Sequence, residues 1–378
     1  AGELMKVLHI NSYYGKSLFY RHLFDRQSAY LEALKVYVPA SSDFSPEAFD
    51  YGDYTLISKN HGVYDRYFFH LKHHKILKDL NRKLNIADYS IIHAHSLFSN
   101  GWVAMKAAEP FDLPFIVAVR NTDINVFFAK MMHLRKLGIK ILKKAKHVIF
   151  LSDAYREHLL KTYIPAHFRD ELQEKSSVIP NGIDDFWFDN IGTARTLNPD
   201  RRLRLLQVGD LDENKNIEIS LKALRLLREK HIDASLDAVG RIRVDAIGER
   251  VRENEHARYL GYLSKEALLS TMRDSDLFVL PSKRESFGLV YAEAMSQGLP
   301  VIYSKGQGFD RQFEEGTVGY HVDSMNETEL ASRIMDIMGD YERISRNCIE
   351  KVDAFSWDVI SDSYRKIYAS CCESKVSR

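Results

Sequence analysis

Short apolar runs set between helix-like stretches recur along this chain, and the whole pattern occurs twice. The first set covers residues 6–11, 34–38, 89–93, 115–119 and 147–151. Each run is too short for a buried helix and too uniformly apolar for a sheet with one wet face. Parallel strands covered by helices on both faces satisfy both constraints. The segment Val178-Ile-Pro-Asn-Gly-Ile-Asp184 interrupts the rhythm with Pro180 and the turn pair Asn181-Gly182. The pattern then restarts with strands at 203–208, 234–239, 277–280 and 300–303. A helix between the first two places Ile217, Leu221, Leu224 and Leu227 on one face. The expected organisation is an α/β domain over 5–180, a second over 181–354, and a helix in 355–378 that Ser356 caps and that returns toward the first domain. At ~150 residues per domain, 378 residues suggest two or three domains, and the two repeats of the pattern select two. Residues 1–4, ahead of Met5, read as a cloning remnant and are set aside.

The near-neutral total charge conceals an asymmetry. Residues 1–180 carry 25 basic and 18 acidic side chains, and residues 181–378 carry 28 and 34. Twelve of the 15 histidines also lie in the first half. Such a split suggests two domains facing different partners. The three cysteines, Cys348, Cys371 and Cys372, make neither a disulfide framework nor a zinc-site spacing, so a reducing, cytoplasmic setting is expected. The longest strongly apolar runs are about five residues, far below the roughly 18 that a spanning helix needs.

The most informative stretch is Pro281-Ser-Lys-Arg-Glu-Ser-Phe-Gly-Leu-Val-Tyr-Ala-Glu-Ala-Met-Ser-Gln-Gly298. It follows a strand, and Gly288 allows close backbone approach. Residues 289–297 read as a helix with Gly298 at its C-terminal cap. Glu285 then lies in the loop ahead of the helix, and Glu293 lies on the helix itself. A helix start offers unpaired N–H groups and a positive dipole end, which suit a pyrophosphate. Carboxylates beside that anion make sense as acceptors for sugar hydroxyls.

Glu285 and Glu293, with seven residues between them that include Phe287-Gly288, resemble the E-x7-E motif of retaining glycosyltransferases of family 4, which have the GT-B fold. Pro180-Asn-Gly-Ile-Asp184 and Ala294-Met-Ser-Gln-Gly-Leu-Pro-Val-Ile302 resemble the same family in the same order. The resemblance implies two Rossmann-like domains facing a central cleft. The second would hold a nucleotide-sugar, expected to be UDP-linked. The first would hold a saccharide or lipid-linked acceptor. It also assigns donor-sugar contact to Glu285 and ribose contact to Glu293. Ser286, Phe287, Gly288, Leu289 and Val290 complete that side of the donor site.

A second phosphate element is Gln207-Val-Gly-Asp-Leu-Asp-Glu-Asn-Lys215. Gly209 opens a tight turn, and Lys215 at the start of the following helix can reach a pyrophosphate as a point charge. The family usually has arginine where this chain has Asp210, so Arg241 or Arg284 is the candidate substitute cation. In the first domain, Val119-Arg-Asn-Thr-Asp123 stands where the family often has His-Gly-x-Asp. Arg120 is therefore a catalytic candidate that either steadies the leaving phosphate or binds an anionic acceptor, against the alternative of a salt bridge to Asp123. Asn121, Asp123, Tyr13, Tyr14 and Gly15 are acceptor-side candidates, the last three in a loop that lacks the family's paired glycines.

His93-Ala-His95 invites a metal reading, but the two side chains are expected on opposite strand faces, and no metal site is expected. Asp274-Ser-Asp276 reads as a helix–strand turn. The basic amphipathic stretch 130–146, with Met131, Leu134, Leu137, Ile141 and Leu142 at helical spacing, is expected to form a helix. With the basic stretch 70–78, it raises peripheral attachment to an anionic membrane surface as an expectation. Nucleic acid is not an expected partner, and no cofactor besides the nucleotide-sugar co-substrate is implied. The expected activity is retaining, metal-independent hexosyl transfer in bacterial surface polysaccharide synthesis. The alternatives are epimerase or phosphorylase chemistry on the same fold, or a non-catalytic partner subunit.

Overall fold

The computed structural model describes residues 5–46 and 49–373, so residues 1–4 and the last five of the C-terminal segment lie outside the described residues. The chain forms two compact units. Among the described residues, one comprises those up to 151 together with 155–180 and 357–373, and the other comprises 152–154 and 181–356.

The first unit is built on seven strands: β1 (Lys6–Ile10), β2 (Ala33–Ser41), β3 (Thr55–His61), β4 (Ile91–Ala94), β5 (Phe115–Val119), β6 (His147–Phe150) and β7 (Ser176–Val178). They run parallel in the order β3-β2-β1-β4-β5-β6-β7. Successive strand side chains point to opposite faces, and the two cores divide accordingly. Leu8, Ile10, Ile92, Ala94, Val117 and Val119 join one cluster, closed by the helices Phe69–Lys83, Ser99–Ala108 and Arg135–Lys144. Val7, Ile91, Ile116, Ala118 and Ile149 join the other. That second face is covered by the helices Arg21–Ser28 and Trp357–Glu373, the latter through Trp357, Ile360, Tyr364, Tyr368 and Cys371. The chain's last described helix is therefore part of the first unit.

The second unit has strands β8 (Leu203–Val208), β9 (Ala234–Val239), β10 (Ala257–Gly261), β11 (Leu277–Val279), β12 (Val301–Ser304) and β13 (Gly319–Val322). They are parallel in the order β10-β9-β8-β11-β12-β13. In both sheets the order reverses beside the first strand, between β1 and β4 and between β8 and β11. In such open sheets, ligands bind outside the carboxyl ends of the strands at that reversal.

The stretch 130–146 is not one helix. Residues Asp123–Phe128 form a π-helical turn, Met132–Leu134 a single 3₁₀ turn, and Arg135–Lys144 the α-helix. The break falls at Met131, whose φ of −102° and ψ of 67° are not helical. Gly138 lets this helix approach closely: a Cβ there would meet the Phe98 ring at 2.5 Å and the Phe128 ring at 2.8 Å. Its apolar side is thus used in the core, and Lys136, Lys140, Lys143 and Lys144 face outward. No described helix is long and apolar enough to cross a membrane.

Candidate active site

The loops that follow β8 and β11 lie at the reversal of the second sheet and are tied into one piece. Asn214 accepts from the Arg284 amide at 3.0 Å, donates to the Arg284 carbonyl at 2.9 Å, and its own carbonyl accepts from Lys283 at 2.8 Å. Asn216 adopts the left-handed conformation (φ 58°), and its side-chain amide bridges the carbonyls of Pro281 (3.0 Å) and Ser324 (2.6 Å). Because Asn216 turns the chain there, the helix Ile217–Glu229 starts two residues after Lys215. The lysine thus stands in the loop rather than at the helix start that its spacing predicts.

This lacing brings together two groups that are 70 residues apart. Lys215 Nζ lies 2.6 Å from Glu285 Oε2, and both side chains are mostly buried. The Lys215 backbone N–H is anchored on Asp212 Oδ1 at 2.8 Å. The Glu285 backbone N–H donates to Gln307 Oε1 at 2.9 Å, and the Glu285 carbonyl accepts from the Gly308 amide at 3.2 Å. Asn214, Asn216, Gln307 and Gly308 were not singled out by the sequence reading, because each acts through a partner distant in sequence. Gly209, with φ of 155°, passes directly over the Lys215 stem: a Cβ there would lie 3.2 Å from it.

Gly288 (φ 77°) caps the helix Leu289–Ser296. The first-turn amides of Leu289 and Val290 have no partner within the helix and point toward its positive end. The Phe287 ring is 2% exposed and packs against Phe309 and Phe355, so only its backbone is placed to meet a ligand. Asp210 is held by Arg243 Nε at 2.7 Å and by the Arg241 amide, and that pairing lowers its pKa. Arg243 is thus the side chain paired with Asp210, and the Arg241 charge adds to it. The Arg241 guanidinium stacks 4.7 Å over Tyr262, and Arg284 is exposed. Asp276 accepts from the Arg204 amide at 2.8 Å at the turn into β11, as the helix–strand reading of Asp274-Ser-Asp276 expects.

Glu293 is partly buried, and that burial pushes its carboxyl up to about 7, against the opposing charge of Lys265. In the free protein this acid keeps its proton to higher pH than the unfolded chain does. Its contribution to stability is therefore present below its ordinary pKa and declines as pH rises toward 7. Ribose hydroxyls donating to the ionised carboxylate would reverse that cost on binding. Calorimetric titration with UDP-glucose, whose diphosphate does not ionise in this range, should show affinity rising about 10-fold from pH 5.5 to 8. Glu293→Gln should flatten the profile. A wild-type profile that is already flat would remove Glu293 from the donor contacts.

In the first unit the acceptor-side candidates separate. Tyr14 is fully buried, donates to the Tyr51 carbonyl at 2.8 Å and packs on Phe24, so it is a core residue and not an acceptor contact. Tyr13 is 38% exposed and lines a cavity with Ser12 and Gly15. Asp123 is 2% exposed, and its two oxygens accept the amides of Leu97 (3.0 Å), Phe98 (3.1 Å) and Arg120 (2.8 Å). Holding three backbone donors, it fixes two loops rather than contacting a ligand. The Arg120 side chain donates to the His95 carbonyl at 2.9 Å and lies 5.7 Å over the Tyr20 ring, so the alternative salt bridge to Asp123 is not the observed partner. Asn121 donates to Tyr155 Oη at 3.1 Å.

His93 and His95 do not point to opposite faces. Residues two apart on a strand share a face, and the two rings stack with centroids 4.1 Å apart. His9 joins them, with Nδ1 2.9 Å from His95 Nε2, and ring nitrogens of all three approach within 4.8 Å of one another. The donor set would suit a borderline divalent cation. Burial first, then the neighbouring histidines, and last the Arg120 charge hold His93 and His95 neutral well below their ordinary range, and neutral imidazole is the form that ligates. Against a cation stand the nearby Arg120 guanidinium and the full burial of the three rings, and among the described residues no carboxylate joins them.

Comparison with known proteins assigns this architecture. Residues 28–185 match the family described as Glycosyltransferase Family 4, and residues 193–353 match Glycosyl transferases group 1. A phosphatidyl-myo-inositol mannosyltransferase of Mycobacterium leprae is 27% identical over 361 residues, covering 91% of this chain and 89% of that protein. Sucrose-phosphate synthase from Thermosynechococcus elongatus superposes with a TM-score of 0.71 at 21% identity, over 97% of this chain and 100% of the other. Anabaena HepE, solved in complex with UDP, gives 0.70 at 18% identity with coverage of 97% and 100%. The fold is thus GT-B, made of two Rossmann-like units. The chain is a glycosyltransferase of GT-B type, residues 28–185 resembling the Family 4 model and residues 193–353 the group 1 model.

Proposed function

We propose that this chain transfers a hexose from a UDP-sugar to a saccharide or lipid-linked acceptor with retention of anomeric configuration and without a divalent metal. The observation that carries the reading is the Lys215–Glu285 pair held beside the amide-bearing start of the helix Leu289–Ser296. HepE has also been solved with UDP-glucose, which supports a UDP-sugar as donor. The bond between sugar C1 and the β-phosphate oxygen breaks while the acceptor oxygen bonds to C1 from the same face. The acceptor's proton passes to the departing phosphate oxygen. Positive charge aimed at that oxygen is the main requirement, and Lys215 with the Leu289 and Val290 amides supplies it. Glu285 holds the donor sugar and Glu293 the ribose. Arg120 adds a cation on the acceptor side.

The setting we favour is bacterial surface polysaccharide synthesis at the inner face of a membrane. Exposed Tyr64, Tyr67, Phe68 and Leu71 adjoin Lys75 and Lys78 in the basic first unit, which suits an anionic bilayer surface. The Mycobacterium leprae relative is itself named for a lipid acceptor. Incubation with α-linked UDP-glucose and an acceptor panel, followed by NMR of the product, tests the chemistry. An α-linked product that still forms in EDTA is expected. A β-linked product, or activity abolished by EDTA and restored by Mn²⁺, would contradict it.

A further inference from the structure

A cavity of about 410 Å³ lies in the first unit where β1, β2 and β3 end, a volume typical of small-molecule sites. Its lining combines unsatisfied polar atoms with positive charge. Asn100 is 1% exposed; its Oδ1 accepts from the Ser12 amide at 3.3 Å, and its Nδ2 has no partner. His73 is 2% exposed, with Nδ1 2.6 Å from the Phe69 carbonyl. A carbonyl only accepts, so Nδ1 carries the proton and Nε2 presents a lone pair, also without a partner. His61 Nδ1 lies 2.7 Å from Asn60 Oδ1, while Asn60 Nδ2 donates to Tyr37 Oη, so His61 Nε2 is likewise an acceptor. Lys72 and Arg66 line the same cavity, and Arg66 makes no ion pair among the described residues. Asp43 is the one acid among the described lining residues, and Ser41 hydrogen-bonds it. Asp65 nearby is taken by Lys75 at 2.7 Å.

One amide donor, two imidazole acceptors and two cations match a hydroxyl-rich group that also carries an anion. We propose that this cavity binds a phosphorylated sugar or polyol as the anionic part of the acceptor. The inference rests on the reading that the first unit takes the acceptor. The hydroxyls donate to His61 and His73, Asn100 donates to a ring oxygen or hydroxyl, and Lys72 and Arg66 face the phosphate.

The test is calorimetry on the full chain with UDP kept saturating, so that the proposed donor site is filled. Glucose 6-phosphate is the soluble probe, glucose its neutral control, and phosphatidylglycerol vesicles the lipid probe. Glucose 6-phosphate should bind at least about 10-fold more tightly than glucose. Arg66→Ala with Lys72→Ala, both at accessible positions, should remove that preference, while Lys72→Arg keeps it. Vesicle binding lost in the same double variant would identify a lipid-borne phosphate as a source, and its persistence would assign the site to soluble acceptors. Equal affinity for glucose and glucose 6-phosphate, or competition between UDP and glucose 6-phosphate, would overturn the proposal. UDP binding is titrated separately, and its failure would strike the donor reading instead.

Discussion

Lys215→Ala should lower the transfer rate about 10²–10³-fold at saturating donor, with the chain still folded. That magnitude is the usual cost of removing one positioned donor from a developing negative charge. Lys215 is well placed for the role because the loop around it is fixed by Asp212, Asn214 and Asn216. Without donor, its ammonium rests on Glu285. Donor arrival gives the ammonium a second anion to share, and the pair keeps the cation oriented. Lys215→Arg should rescue only partly, since a planar guanidinium needs room and geometry that a point charge does not. Glu285→Gln should also cut the rate strongly. The double variant should lose less than the sum of the two, because the groups act as a unit. Circular dichroism and thermal melts establish that each variant is folded. Near-normal transfer by folded Lys215→Ala would remove the lysine from the chemistry.

Gly308→Ala should be as damaging, although Gly308 carries no functional group. An added Cβ would lie 1.9 Å from the Ser286 carbonyl oxygen and 2.7 Å from the Phe287 Cα. Both are backbone, so the loop bearing Glu285 must move, and Phe287, locked in its aromatic cluster, resists. Overpacking of this kind costs about 1–3 kcal/mol, a fall of roughly 2–10 °C in melting temperature for a unit of this size. Loop displacement should weaken UDP-glucose binding at least about 100-fold, since a shift near 1 Å can cost that much in a positioned site. Gly339→Ala is the control, because nothing lies within 4 Å of its added Cβ. Retained UDP-glucose affinity in Gly308→Ala would show that the loop tolerates the shift.

Both predictions depend on contacts that single-chain patterning reaches only in part. The central strands were legible because burial on both faces makes them continuous apolar runs, as in β5 with Phe-Ile-Val-Ala-Val. The strands β3, β7, β10 and β13 were not, since they are polar and near or at sheet edges, and Thr-Leu-Ile-Ser-Lys-Asn-His carries no such signal. The helix after Gly288 was legible from its glycine and its apolar content. The lacing by Asn214, Asn216 and Gln307 was not, because an amide side chain gives no sequence hint of a partner 22 to 108 residues away. Tyr14 and Asp123 are acceptor candidates because they stand where the family has its Gly-rich loop and its His-Gly-x-Asp stretch. The fold instead uses one as core and the other as an anchor for three amides. The histidines show a different failure. Strand periodicity itself puts His93 and His95 together, and only the structure adds His9 from the neighbouring strand.

The central claim, that the second unit grips the diphosphate of a UDP-sugar, is tested most directly by a crystal structure of the chain soaked with UDP-glucose. The account predicts phosphate oxygens within hydrogen-bond distance of Lys215 Nζ and of the Leu289 and Val290 amides, with Glu285 on the glucose hydroxyls. A well-ordered UDP-glucose bound elsewhere on the chain, with the Lys215–Glu285 contact unchanged, would contradict it.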